Sequence, residues 1–436
     1  MDPLWLGAAG FAAMFALIAL HVPIGVAMGV TGIAGIWILL GPSPALHMLA
    51  AVPSDALTNP NLAAIPMLLL MGSFAAVAGL GGDLYRLFHG FVGHHRGGLA
   101  AATIAGCGAF GSVCHSSIAT AATFTRIALP EMRERGYRPS FAMGSIAAGG
   151  TLGILIPPSS LMLLYCVLTQ QFVVTLFVAA ILPALLAVLI YVVVVALYVR
   201  VQPGSGPAGP RISWRERMRL LATCWRAIVL ALLVTGGIYG GVFTVIEAAG
   251  VGCVLACGFA LAGGHMTRKN ALEVLTPPAE TTALIFVIVF GANIFNSFIT
   301  LTKLPDFLVG AIEAAHLPPW LVIVLLLALY LVSGCVFESV AAMIITLPVV
   351  FPLVVGLGFD PIWWGVINIM VIEHGQLTPP IGIIPYILHG IAPDIPLKTI
   401  FAGIAPFFLS DFVKLAILAL FPAVSLALPR ALGMPM

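Results

Sequence analysis

Charge is what this sequence most lacks. Aspartate, glutamate, lysine and arginine make up 8% of the chain, where a soluble globular protein carries about 25%. With 61% apolar residues and a mean hydropathy of +1.14, the chain cannot cover itself with a water-facing surface, and lipid is the natural solvent for most of it. The net charge of +2 gives no case for nucleic acid as a partner. The seven cysteines have neither a zinc spacing nor an extracellular disulfide framework, and they read as small packing residues within apolar stretches. His115, His374 and His389 form no metal spacing, so no transition metal or other cofactor is expected. No His-Glu-x-x-His run is present to support an intramembrane enzyme. A phosphate loop of the Gly-x-x-x-x-Gly-Lys-Ser/Thr type is also absent, so the energy for any transport must come from a gradient or from another subunit. The start, Met-Asp-Pro-Leu-Trp, has no basic region of a cleavable signal, and the first apolar stretch is expected to be a retained span.

Apolar stretches are plentiful. They fall at about 4–20, 22–40, 62–80, 99–129, 141–168, 172–199, 226–241, 244–263, 279–300, 319–356, 361–392 and 399–421. Residues 200–226 are Pro/Gly-rich and then Arg-rich, and form the only substantial polar linker. Its central position suggests a duplication. A shift of 222 residues carries Gly153-x-x-x-Pro157-Pro158 onto Gly375-x-x-x-Pro379-Pro380, Gly136-x-x-Pro139 onto Gly358-x-x-Pro361, and Pro130 onto Pro352. Three matches in order at one offset, with the spans in step, point to two repeats, 1–199 and 227–436.

In each half the fourth segment (99–129; 319–356) is too long for one span of about 20 residues. It carries small and polar residues near its middle: Gly111, Ser112, His115, Ser116 and Ser117, then Ser333, Gly334, Glu338 and Ser339. A re-entrant helical hairpin and one long tilted helix both accommodate this pattern. The hairpin requires its tip to be buried in protein or to line a wet cavity. The fifth segment (141–168; 361–392) holds the double proline, which removes two backbone donors and clashes with the preceding turn. Paired interruptions in corresponding segments are the best sequence pointer to a transporter's binding site.

Five crossings and one hairpin per half make the second half inverted. With the N-terminus outside, fourteen arginines and lysines, among them Arg86, Arg96, Arg133, Arg200, Arg215, Arg268, Lys269 and Lys398, fall inside, and only Lys303 and Arg430 fall outside. This satisfies the positive-inside rule. The expected fold is an all-α polytopic membrane protein of two inverted-topology repeats, each with about five spans, one re-entrant hairpin and one Pro-Pro-broken helix.

A broken helix frees carbonyls at the negative end of a half-helix dipole, which suits a small cation. Its partner half begins with free N–H groups, which suit an anion. Gly149-Gly150-Thr151 facing the tip Ser112–Ser117 fits one such site, the alternative being that these glycines and hydroxyls only allow close helix packing in lipid. Glu373-His374-Gly375 and Thr378, facing Gly334–Ser339, make its mirror image. Glu338 and Glu373 are costly at membrane depth; they read either as cation ligands or proton carriers, or as carboxylates paired with a neighbour such as His374 or with backbone donors. Glu247, Asp411 and Lys414 are placed near span ends, where snorkelling or pairing accounts for them.

The stretch GGTLGILIPPS (Gly149–Ser159), with Tyr165 after it, resembles the first-half signature of the large permease of TRAP (tripartite ATP-independent periplasmic) transporters. GVFTVIEAAGVG (Gly241–Gly252) and LPVVFPLVVGLGFDPIWWGVI with LTPPIGI are similar to that family's second-half motifs. The resemblance implies a bacterial inner-membrane protein that moves by an elevator mechanism. It also implies a small membrane subunit and a periplasmic substrate-binding protein as partners, an organic-acid substrate, and Na+ as coupling ion, with H+ left open. The sodium candidates are then Ser112, Ser116, Gly149, Gly150, Thr151, Gly153, Gly334, Glu338, Gly375, Thr378 and Gly382. The substrate candidates are His115, Ser117, Pro157, Pro158, Ser159, Ser339, Pro379 and Pro380, and the coupling candidates are Glu338 and Glu373. The chain departs from the family pattern at Cys114-His115-Ser116, where Ser-Gly-Ser is usual, at Thr120 and Glu338, where Asp is common, and at Ile384, where Asn often stands. A carrier that works alone, without the binding protein, is the rival reading.

Overall fold

Short Pro, Gly and Asx signals divide this apolar chain into helices. The computed structural model describes residues 2–264, 266–267 and 270–435. Arg268 and Lys269, counted above on the inside, lie outside the described residues. The first half comprises α1 (Pro3–Ala19), α2 (Ile24–Leu40), α3 (Pro42–Thr58), α4 (Pro60–Val77), α5 (Leu80–Val92), α6 (Gly98–Cys114), α7 (Ser117–Glu134), α8 (Pro139–Leu155), α9 (Ser160–Thr169) and α10 (Val173–Val201). After α11 (Trp214–Thr223) come α12 (Trp225–Ala231), a π turn at Leu232–Gly236, α13 (Gly237–Tyr239), α14 (Val245–Ala262), α15 (Ala271–Leu301) and α16 (Leu304–Ala314). The chain closes with α17 (Pro319–Val336), α18 (Ser339–Gly356), α19 (Pro361–Gly375), α20 (Ile383–Ile391), α21 (Leu397–Leu420) and α22 (Ala423–Ala431). No strand occurs among the described residues. Among the described residues seven helices are long and apolar enough to cross a membrane, and two bent helix pairs qualify when each is taken as one span.

The shift of 222 residues read from the motifs carries over to the helices. It takes α7 onto α18 end to end, α2, α6, α8, α9 and α10 onto α14, α17, α19, α20 and α21 within a few residues, and α4 onto the C-terminal part of α15. Packing follows the same exchange: α2 lies on α15, and α4 on α14. The Gly-x-x-Pro marks act as turns. Gly136 and Gly358 take positive φ of 73° and 84°, which costs a glycine little. Each closes the helix before it, and Pro139 or Pro361 opens the next, where its missing N–H costs nothing. Asp360 adds a side-chain cap to α19, accepting from the N–H groups of Ile362 (2.8 Å) and Trp363 (3.1 Å).

The segments 99–129 and 319–356 are hairpins, not single tilted helices. The first turns at His115–Ser116 between α6 and α7, the second at Phe337–Glu338 between α17 and α18. Both double-proline segments are broken as well, between α8 and α9 and between α19 and α20, and both Pro-Pro bonds are cis. Helix α8 is buried at every position from Phe141 to Leu155, and α19 from Ile362 to Gly375. The two broken helices are therefore the middle of the core, since a helix apolar all round is one that is surrounded. The list of apolar stretches omits α3, α5, α16 and α22. Helices α5 and α16 are amphipathic connections leading to the hairpins; α3 falls on the start of α15 under the shift, and α22 has no separate counterpart.

Candidate functional site

The hairpin tips are held by caps and close on the broken helices. Ser116 caps α7, accepting from Ala119 N–H at 3.2 Å. At the equivalent place in the second tip, half-buried Glu338 caps α18 by accepting from Val340 N–H at 3.0 Å. His115 takes a left-handed turn (φ 56°) and is fully buried. Its Nδ1 lies 2.7 Å from the Pro158 carbonyl oxygen, while its own carbonyl accepts from Ser160 Oγ at 3.1 Å. Ser159 caps α9. The first tip is thereby tied to the first break.

Glycines permit the contact. A Cβ on Gly153 would lie 2.6 Å from Thr120 Oγ1 and 2.8 Å from the Ser116 carbonyl oxygen, and one on Gly375 would lie 2.7 Å from Gly334 Cα. Gly149 and Gly150 lie against Cys107 and Ala121 in the same way. These are close helix approaches of the kind small residues allow in lipid, backbone to backbone at Gly375–Gly334.

The two tips meet at one carboxylate. Ser117 and Ser339, related by the shift of 222, both donate to Glu373: Ser117 Oγ to Oε2, and Ser339 Oγ to Oε1 at 2.7 Å. Gln376 Nε2 donates to Ser339 Oγ and orients that hydroxyl. Ser117, Ser339, Glu373 and Gln376 are all buried. A carboxylate accepting two hydroxyl donors at membrane depth is a strong, charge-assisted junction. Glu373 is not paired with His374, whose ring packs between Phe408 and Phe412 (centroids 4.5 and 4.7 Å) and makes no well-formed hydrogen bond.

Other candidates stand apart from this junction. Ser112 donates to the Ala109 carbonyl (2.8 Å) and faces an apolar groove with Ile156, Pro157 and Tyr239. Thr151 donates to Ala148 O and lies 3.3 Å from the Tyr191 hydroxyl, away from the first tip. Thr378 Oγ1 donates to the His374 carbonyl at 2.9 Å. Gly382 (φ 43°) lies beside the carbonyls of Gln376 and Thr378. Pro157 and Pro158 are buried, whereas Pro379 and Pro380 are exposed, so the two breaks differ in access.

Compared with known families, residues 11–424 match the model described as "Tripartite ATP-independent periplasmic transporter, DctM component". The chain belongs to the DctM family. It is 34% identical over 405 residues to the C4-dicarboxylate TRAP transporter large permease protein DctM of Pseudomonas aeruginosa, covering 92% of this chain and 94% of that one. It is 28% identical over 395 residues to the sialic acid TRAP transporter large permease protein SiaM of Vibrio cholerae, covering 90% and 92%. Among solved structures it is similar in fold to the YdaH transporter of Alcanivorax borkumensis, with a TM-score of 0.65, 14% identity, and 97% and 98% of the two chains covered. This DctM-family chain is a multi-pass membrane transport protein and not an enzyme.

One expectation needs correction in this DctM-family chain. Asp411 and Lys414 are paired, as one of the two readings held, but they do not snorkel from the ends of their span. They lie well inside α21, buried, with Lys414 Nζ 2.6 Å from Asp411 Oδ1. Tyr191 of α10 donates to Asp411 Oδ2 at 3.2 Å, and Lys414 Nζ lies 4.1 Å from the Tyr191 ring centroid. Together with Thr151, Glu373 and His374 they line a small polar cavity between α8, α10, α19 and α21. Tyr191 and Gln376 carried no sequence signal. An i, i+3 Asp–Lys pair within an apolar run was the available clue to the ion pair. Glu247, by contrast, is at a span start, where it forms a capping box with Thr244.

Proposed function

We propose that this chain is the large membrane subunit of a TRAP transporter in a bacterial inner membrane. In this reading it imports a small organic acid, delivered by a periplasmic binding protein, works with a small membrane subunit, and is driven by a sodium gradient. The observation that carries the reading is the closure of both hairpin tips on Glu373. Residues 1–199 and 227–436 are taken as oppositely oriented halves joined by the linker 200–226, with the N-terminus periplasmic, so the hairpins enter from opposite faces and meet mid-bilayer. A junction that either face can load or release is what alternating access requires.

Sodium is held at the breaks. The carbonyls of Gln376 and Thr378 beside Gly382, with the second tip, form one cation site, and the Gly149–Pro158 segment with the first tip forms the other. The substrate carboxylate lies beside them, at the tip serines and the N-terminal ends of α9 and α20, where free N–H groups favour an anion. C4-dicarboxylates and sialic acid, the cargoes named for the two relatives, are both carboxylic acids. Hairpins and broken helices (α6–α9 and α17–α20) move as a body past α1–α4 and α12–α15. The test is uptake by proteoliposomes containing both membrane subunits, with the binding protein added outside. Accumulation should require an inward sodium gradient and the binding protein. Equal uptake without sodium removes sodium coupling, and equal uptake without the binding protein favours a carrier that works alone.

A further inference from the structure

The most charged segment of the chain carries an apolar face that is largely exposed. Helix α11 begins with a capping box between Ser213 and Glu216 and docks sideways on α5: Leu220 packs against Gly90, and the Arg217 guanidinium lies 5.7 Å from the centre of the Phe91 ring. About a quarter-turn round the helix, Trp214, Met218 and Leu221 form a stripe at i, i+4 and i+7, and Trp225 follows beyond the end of α11; Trp214 meets the Phe91 ring edge-on and Trp225 the Phe259 ring. Trp214, Met218, Leu221 and Trp225 are 65%, 37%, 39% and 54% exposed. Arg215 and Arg219 flank the stripe on its far side, both exposed. The following span, Trp225–Tyr239, leaves α11 at a bend of 56°.

We propose that α11 lies in the membrane surface and binds anionic phospholipid, with the Trp214–Trp225 stripe in the acyl boundary and Arg215 and Arg219 on the headgroup phosphates. Two observations select this occupant. The stripe leads straight into the apolar helical run Trp225–Tyr239, which fits a position at the bilayer boundary. The side chains bordering it are arginines, which match an anionic lipid surface. The helix also anchors a strap. Before α11, the linker donates Gly209 N–H to the Gly93 carbonyl, and its Gly206 and Ser205 carbonyls accept from Gly97 and Arg138 N–H at the base of the first hairpin (2.8–3.0 Å). Arg226 and Arg86 both pair with buried Asp83 of α5. Lipid held at α11 therefore fixes the strap that crosses the hairpin base.

The test is tryptophan quenching in proteoliposomes of the full chain, with brominated phosphatidylglycerol or brominated phosphatidylcholine as probe. The Trp214→Phe/Trp225→Phe variant supplies the background from the other tryptophans. Each arginine near an anionic surface contributes roughly fivefold in local lipid partition. The anionic probe should therefore half-quench at a mole fraction about twenty-fivefold lower than the neutral one. Arg215→Gln/Arg219→Gln should abolish that difference, and Arg215→Lys/Arg219→Lys should keep it. Equal quenching by the two lipids in the unsubstituted protein overturns the proposal, as does a glutamine variant that keeps the preference. Absence of quenching by either lipid also overturns it, in favour of a protein covering the face. Should the glutamine variant fail to fold, the lipid comparison in the unsubstituted protein decides alone.

Discussion

Replacing Glu373 by glutamine keeps the side chain's size and removes half of what it does. The carboxylate accepts from Ser117 with one oxygen and from Ser339 with the other. The amide has one acceptor oxygen, and its nitrogen can only donate, so one serine bond must reverse or break. Ser339 is less free to reverse, because Gln376 already donates to it. A hydrogen bond to a charged group contributes about 1.5–3 kcal/mol, which converts to roughly ten- to a hundredfold in the opening equilibrium of the tips. The chain carries its own reporters, since Cys114 ends α6 at the first tip and Cys335 lies beside the second, both buried. Alkylation by N-ethylmaleimide, followed peptide by peptide with mass spectrometry, reads the opening of each tip when closing is fast relative to labelling. Glu373→Gln should raise the labelling rates of both cysteines by that factor and leave buried Cys107, in the body of α6, nearly unchanged. Rates at both tips that stay within about threefold of the parent, or a rise at one tip alone, would refute the shared junction.

Three further outcomes follow from the geometry. Asp411→Asn strands Lys414 as a buried, unpaired cation and should cost about 3–5 kcal/mol; the double variant Asp411→Asn/Lys414→Met should recover most of it, read as the midpoint of denaturation in detergent. Gly403→Ala would drive a Cβ into the Ser140 backbone carbonyl where α8 and α21 touch, whereas Gly390 has nothing within 4 Å; size-exclusion profiles should show loss of monodisperse protein for Gly403→Ala and an unchanged profile for Gly390→Ala. If the second break holds sodium, Thr378→Val should raise the sodium concentration for half-maximal uptake several-fold while leaving the affinity of the isolated binding protein for its ligand unchanged; an unaltered sodium dependence would remove Thr378 from the site.

Backbone features of this fold are legible because they require special residues. Gly136, Gly358 and the double prolines have narrow conformational uses, so their recurrence at one offset located both hairpins, both breaks and the turns between them. Small and polar residues clustered near the middle of apolar runs too long for one span marked the tips as well. Contacts between distant side chains left less trace. Ser117 and Ser339 were each visible as tip residues, but nothing local says that both turn towards Glu373 and not towards their own breaks. Thr151 was expected to face the first tip; its hydroxyl faces Tyr191, because Gly150 and Gly153 already fill the near side of α8 with backbone contact. Asp411 and Lys414 looked peripheral because a sequence shows a costly charge and not the partner that compensates it. The helices α3, α5, α16 and α22 were missed because they are either too polar or too short to register as apolar stretches.

Under the shift of 222 residues, the counterpart of Glu373 is Thr151, which takes no part in the junction. Duplication has thus preserved a matching pair of hydroxyl donors but only one acid to receive them. Neither tip can therefore be tuned on its own: drift in one serine alters the bond left to its twin, and any change at the acid reaches both tips together.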